Sequence, residues 1–235
     1  MTKFNQGRVR SFDVEEEMQQ ALANDIAADL AEALSEKAMA TLVVSGGSTP
    51  KRLFQILSEA DLPWQNVTIT LADDRWLNPD DKDSNERLVF ENLLQNNAKK
   101  AKFIGLKSPD DDAFQGEKTT DERLKSLPLP YDVTVLGMGM DGHTASLFPC
   151  ASQLQLAVDC EESRCRAVLP ESAPYQRMTQ TLNTLRASEK IYLQLNGQEK
   201  MDVYRRASSE GAPEEMPIRY FMSDENKPLN VYWAR

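Results

Sequence analysis

Apolar and polar positions fall along this chain in blocks of two alternating kinds. From Val14 to Ala38 apolar residues recur at helical spacing among many alanines, which predicts a long amphipathic helix. "TLVVSGG" then reads as a short apolar strand, and "TPKRLFQILSEA" opens a helix with Pro50 in its first turn. "VTITLADD" predicts another strand, and "SNERLVFENLLQ" a helix that Ser84 can cap. Lys107 to Gln115 form a polar, Asp-rich connection, followed by a helix near Thr119 to Ser126 that "LPLP" ends. Past the buried strand "YDVTVLG", three more strands are predicted: "RAVL" (Arg166 to Leu169), "KIYLQL" (Lys190 to Leu195) and "NVYW" (Asn230 to Trp233). A helix after "NGQEK" runs to about Ser208.

Strands that are nearly all apolar, alternating with helices, predict a three-layer α/β fold: a mainly parallel, Rossmann-like sheet with helices on both faces. No internal repeat or Gly/Ser-rich linker divides the sequence, so 1–235 is expected to be a single domain. In such sheets ligands sit outside the carboxyl ends of the strands. That rule draws together three loops, "SGGSTP", "DDRW" and "GMGMDGH", because each follows a strand.

Composition narrows the partners. Hydrophobic residues at 40% and charged residues at 27% describe an ordinary globular chain. No apolar run approaches the roughly 20 residues needed to span a bilayer. "MTKFNQGRVRSF" lacks the apolar core of a secretory signal, so a cytoplasmic location is expected. A net charge of −10 repels nucleic acid and anionic lipid, and neither is expected as a partner. It repels phosphorylated metabolites too, so a phosphate site must be made by local cations and backbone amides. The three cysteines form no C-x-x-C pair and there is one histidine, so reduced thiols and no metal site are expected.

The loops carry the chemistry. Gly137, Gly139 and Gly142 match the dinucleotide pattern G-x-G-x-x-G, and Asp159 lies where a ribose-binding acid belongs. A cofactor turn, however, must open a long helix, whereas "HTASLFP" reaches Pro149 within a few residues. The match is a decoy. His143 stands immediately behind the last glycine. A lone histidine is more often structural, but a glycine-rich loop at a strand end favours a catalytic base. Asp141 can orient the imidazole or raise its basicity, and can equally be a plain turn residue. In "SGGSTP", Gly46 and Gly47 let backbone amides approach an anion, Ser48 adds a hydroxyl, and a helix N-terminus follows. The Walker A spacing is absent, and a plain strand-to-helix turn is the bland alternative. Arg75 can clamp a phosphate or carboxylate bidentately, or simply pair with Asp73 or Asp74. The acids of "NPDDKDSNE" read as solvated, since the glycine of a calcium loop is missing.

With "VVSGGSTP", "ADDRW", "DKDSN", "LGMGMDGHTASLFP", "RMTQTL" and "NGQEK" in that order, the sequence resembles the 6-phosphogluconolactonase branch of the glucosamine-6-phosphate isomerase family. The resemblance covers about Leu42 to Lys200 and is loose after Ser208. It departs where the family has "DER" and this chain has Asp73-Asp74-Arg75. It implies hydrolysis of 6-phospho-D-glucono-1,5-lactone to 6-phosphogluconate in the oxidative pentose phosphate pathway, with no metal or organic cofactor. It further implies His143 as the base that activates water, assisted by Asp141. The phosphate would be held by Arg75, Arg177 and Lys200 with Gly46, Gly47 and Ser48, and more weakly by Lys51. Two other functions compete: an amino-sugar-phosphate isomerase/deaminase and a non-enzymatic sugar-phosphate sensor. The former carries an acid in "NEP" where this chain has Leu147-Phe148-Pro149; the latter has no need of His143.

Overall fold

The computed structural model describes Phe4, residues 7–223 and residues 227–235. A first strand, β1 (Arg8–Phe12), leads into helix α1 (Glu15–Glu36). Met18, Leu22, Ile26 and Leu30 recur every four residues and are fully buried, the stripe that holds this helix on the core. There follow β2 (Ala40–Val44), α2 (Lys51–Ser58), β3 (Val67–Leu71), β4 (Asp73–Arg75) and α3 (Asn85–Asn92). The middle of the chain forms β5 (Lys102–Ile104), α4 (Ala113–Lys125), β6 (Val133–Leu136) and α5 (Leu154–Asp159). Then come β7 (Cys165–Val168), β8 (Arg177–Gln180), α6 (Leu182–Arg186) and β9 (Lys190–Asn196). Helices α7 (Gln198–Ala207) and α8 (Arg219–Met222) precede the last strand, β10 (Asn230–Ala234).

Seven strands form one sheet in the order β1-β10-β9-β6-β2-β3-β5, and every pairing in it is parallel. All residues of β2, β3 and β6 are buried, so both faces of the central sheet are covered, as a parallel sheet requires. The flanked α/β sheet read from the sequence is therefore present. In the pairing register Val44 lies opposite both Leu71 and Val135, and Leu136 opposite Leu193. The loops after β2, β3, β6 and β9 consequently leave the sheet at one end, that of the strands' carboxyl termini. No helix among the described residues is long and apolar enough to cross a membrane.

The structure corrects several expectations. "DDRW" is not a loop: Asp73–Arg75 is a strand in a second, antiparallel sheet of order β4-β8-β7. The "RAVL" strand belongs to this small sheet as well. Ala72 is the switch point, since its N–H donates to Val44 of the main sheet and its carbonyl accepts from Gln180 of the small one. The helix expected near Thr119 begins at Ala113, because the Asp112 carboxylate caps it by accepting the N–H groups of Phe114 and Gln115. Pro50 precedes α2 as its cap residue instead of standing in its first turn. β1, β5, β8 and the short helices α5, α6 and α8 were not anticipated; they are brief, and β1 is exposed and charged at a sheet edge.

Candidate active site

A cleft of about 340 Å³ opens at the carboxyl ends of β2, β6 and β9, where the sheet order makes these strands neighbours. Gly46, Gly47, Ser48, Arg75, His143, Arg177 and Lys200 all line it. Asp141 stands behind His143. Lys51 is exposed on α2 and lies outside the lining, so its suggested contribution to the phosphate pocket has no support. Asp159, the would-be ribose acid, ends α5 and is likewise outside it.

The glycines of the decoy motif serve the histidine. The Nδ1 atom of His143 lies 2.5 Å from Asp141 Oδ1, and the same oxygen accepts the His143 backbone N–H at 3.1 Å. A Cβ on Gly139 would fall 2.1 Å from that Nδ1 and 2.6 Å from that carboxylate oxygen, so a side chain there would displace the pair. Burial works to raise the Asp141 carboxyl, but the bonds from the His143 ring and amide outweigh it and hold it below the usual carboxylate range. With Nδ1 engaged, Nε2 is the ring nitrogen left for chemistry. The imidazole stacks on the buried Phe148 ring, centroids 3.9 Å apart and planes inclined by 27°. From the far side, the Ile218 N–H donates to Gly142 O at 2.9 Å and Met216 packs against Gly142. The segment after Ser208 thus braces the histidine loop.

Two groups of cations stand on opposite flanks of this loop. On the β9 side, Lys200 of α7 donates from Nζ to Met138 O at 2.5 Å. Burial lowers its pKa, and the Asp141 charge partly offsets this. On the β4/β8 side, Arg75 and Arg177 are directly paired residues of the small sheet. Arg75 donates to Asp83 O at 2.7 Å. Arg177 is buried, its guanidinium 5.1 Å from the Phe148 centroid and 4.0 Å from Asp73 Oδ2. Desolvation lowers its pKa and the Asp73 charge opposes that. Asp74, the shorter acid of the family position, braces the start of α3 and is not a cleft residue. It accepts from the N–H groups of Arg75, Asn85 and Glu86 and from the Ser84 hydroxyl. Burial pushes its carboxyl up to about 7, against the pull of those backbone bonds.

Several residues that sequence reasoning passed over also face the cleft. Asp73 is buried and accepts the Ser146 hydroxyl. Asn85 donates to Asp73 O and presses its carboxamide oxygen onto Gly46, where a Cβ would come within 1.8 Å of it. Asn85 and Asn196 lie inside "DKDSN" and "NGQEK", so their neighbourhood was marked, though not their identity. Ser45 Oγ, Asn85 Oδ1, Arg177 Nε and Asn196 Oδ1 are buried, have no protein partner and line this one cleft. Since buried polar atoms are nearly always bonded, the cleft is built for a polar ligand bearing both donors and acceptors.

Comparison with known proteins agrees with this arrangement. Residues 13–233 match the family described as glucosamine-6-phosphate isomerases/6-phosphogluconolactonase. A 6-phosphogluconolactonase of Rhizobium meliloti (strain 1021) is 41% identical over 92% of this chain and 93% of its own. The crystal structure of a 6-phosphogluconolactonase from Shewanella baltica OS155 superposes with a TM-score of 0.97 at 44% identity, covering 100% of both chains. A monomeric glucosamine-6-phosphate deaminase shares the fold, with a TM-score of 0.79 at 21% identity over 97% of each chain. This chain belongs to the glucosamine-6-phosphate isomerase/6-phosphogluconolactonase family.

Proposed function

We propose that this enzyme opens 6-phospho-D-glucono-1,5-lactone with His143 as general base. It is a lactone-hydrolysing enzyme, forming 6-phosphogluconate in the pentose phosphate pathway. The observation that carries the mechanism is the His143–Asp141 pair, held at the cleft by a glycine that leaves room for it. Nε2 takes a proton from water as its oxygen bonds to the lactone carbonyl carbon. The tetrahedral intermediate collapses, the bond to the ring oxygen breaks, and the imidazolium returns its proton to that oxygen. One water is consumed and the base is regenerated. Asp141, ionised across the working range, fixes the tautomer and stabilises the imidazolium.

The phosphate is assigned to the amides of Gly46 and Gly47, the Ser48 hydroxyl and Lys200, with Arg75 facing them across the cleft. A phosphate dianion would offset the desolvation of Lys200, and these local charges act against the overall −10. Phe148 supports hydrolysis over amino-sugar isomerisation, because it places an apolar ring against His143 where an isomerase carries an acid. The single hydrophobic cluster of the described residues, running from Phe4 to Ala234, supports one domain over 1–235; a cytoplasmic location and a small sugar-phosphate partner belong to the same reading. The test is to generate the lactone in situ and follow 6-phosphogluconate formation above the spontaneous rate. Ammonia release from glucosamine 6-phosphate without lactone turnover would defeat the reading.

A further inference from the structure

Three cationic side chains face the cleft, and the substrate has one phosphate and one carbonyl that becomes an oxyanion. We infer that Arg177 serves the carbonyl end: its guanidinium donates to the developing oxyanion, and the phosphate is left to the glycine loop and Lys200, with Arg75. The inference rests on the lactonase reading above.

Arg177 and His143 share one ring. The imidazole centroid lies 3.9 Å and the guanidinium carbon 5.1 Å from the centroid of Phe148. Both residues also line the same cleft, so a lactone carbonyl set between them would meet a water on Nε2 and place its oxygen on the guanidinium, each bond about 2.7–3.1 Å. Lys200 stands on the other flank, beyond the loop from β6, tied to Met138 O.

The setting of Arg177 also suits an oxyanion donor better than a phosphate clamp. Such a donor gains from being buried and fixed before the reaction, because it then costs no reorganisation as charge develops. Arg177 is 7% exposed, its guanidinium carbon lies over the Phe148 ring, and the Asp73 carboxylate, which accepts from Ser146, stands 4.0 Å away. Its Nε is buried without a protein partner. In the reaction the carbonyl π electrons move onto oxygen as water attacks, Arg177 bonds that oxygen, and the electrons return when the ring oxygen departs.

The test compares Arg177→Gln, Arg177→Lys and Lys200→Ala in lactone turnover and in binding of glucitol 6-phosphate, which keeps the phosphate but lacks a carbonyl. Arg177→Gln is expected to lower kcat about 10²–10³-fold. Its KM and its affinity for glucitol 6-phosphate should stay near wild type, and Arg177→Lys should recover part of kcat. Lys200→Ala should show the opposite split, with weakened glucitol 6-phosphate binding and a raised KM. Thermal unfolding checks each variant; if Arg177→Gln does not fold, Arg177→Lys alone decides between a kcat and a KM effect. An arginine variant that loses glucitol 6-phosphate and keeps kcat overturns the inference. A wild-type protein without lactone turnover would defeat the functional reading instead.

Discussion

His143 is the sharpest point of attack at the scale of single residues, because the chain has no second histidine to take its place. His143→Ala or His143→Gln should lower kcat by about 10²–10⁴-fold and change KM much less, since the phosphate contacts are untouched. Asp141→Asn should cost less, because the ring keeps its position against Phe148 while losing a charged partner. Steady-state kinetics, corrected for spontaneous lactone hydrolysis, reads both. A His143→Ala enzyme with near-normal kcat would sink the mechanism. The phosphate side separates cleanly. Lys200→Ala, and to a smaller degree Arg75→Ala, should weaken substrate binding by up to about 1.5–3 kcal/mol for a lost charge-assisted bond. Preference for the phosphorylated lactone over gluconolactone should fall in parallel, and unchanged selectivity in both would place the phosphate elsewhere.

Among the elements, α3 ties the small sheet to the large one. Ser84 caps its N-terminus, as expected, and Asp74 of β4, whose pKa is raised to about 7 by burial, accepts its first two N–H groups. Between its ordinary value and about 7 the folded protein keeps a proton that the unfolded chain has released, so stability drains away as pH rises through that window. Wild type should therefore lose ground to Asp74→Asn between about pH 4 and pH 7 and level off above, read by urea unfolding at a series of pH values. A flat difference across that range would contradict the raised pKa. The sequence made the long periodic elements legible: α1, the central strands and α7 were found because each repeats its pattern over several turns or buries every residue. β4 and β8 were not, because three or four residues carry no periodicity and their pairing joins Arg75 to Arg177 across the chain. The same limit applied to the site. Glycines and the histidine announce themselves by type, whereas Asn85 and Phe148 matter through where the fold sets them.

The whole molecule is acidic, yet its cleft gathers cations on both flanks, so affinity comes from local geometry set against an opposing long-range field. Among the described residues no group of three His, Cys, Asp or Glu side chains is placed to hold a metal ion. Exhaustive chelation should therefore leave the rate unchanged; a loss restored by a divalent ion would reveal a metal-dependent step. The brace on the histidine loop has a further consequence, in time instead of space. Gly142 leaves the ribosome well before Met216 and Ile218, the residues that pin it from behind. β10, the last strand to emerge, completes the sheet by slotting between β9 and β1. A nascent chain halted before Met216 holds His143 and Asp141 but not the support that aligns them. Lactone turnover by ribosome-bound chains, stalled at successive positions along an added C-terminal linker, should appear only once that bracing segment has cleared the exit tunnel.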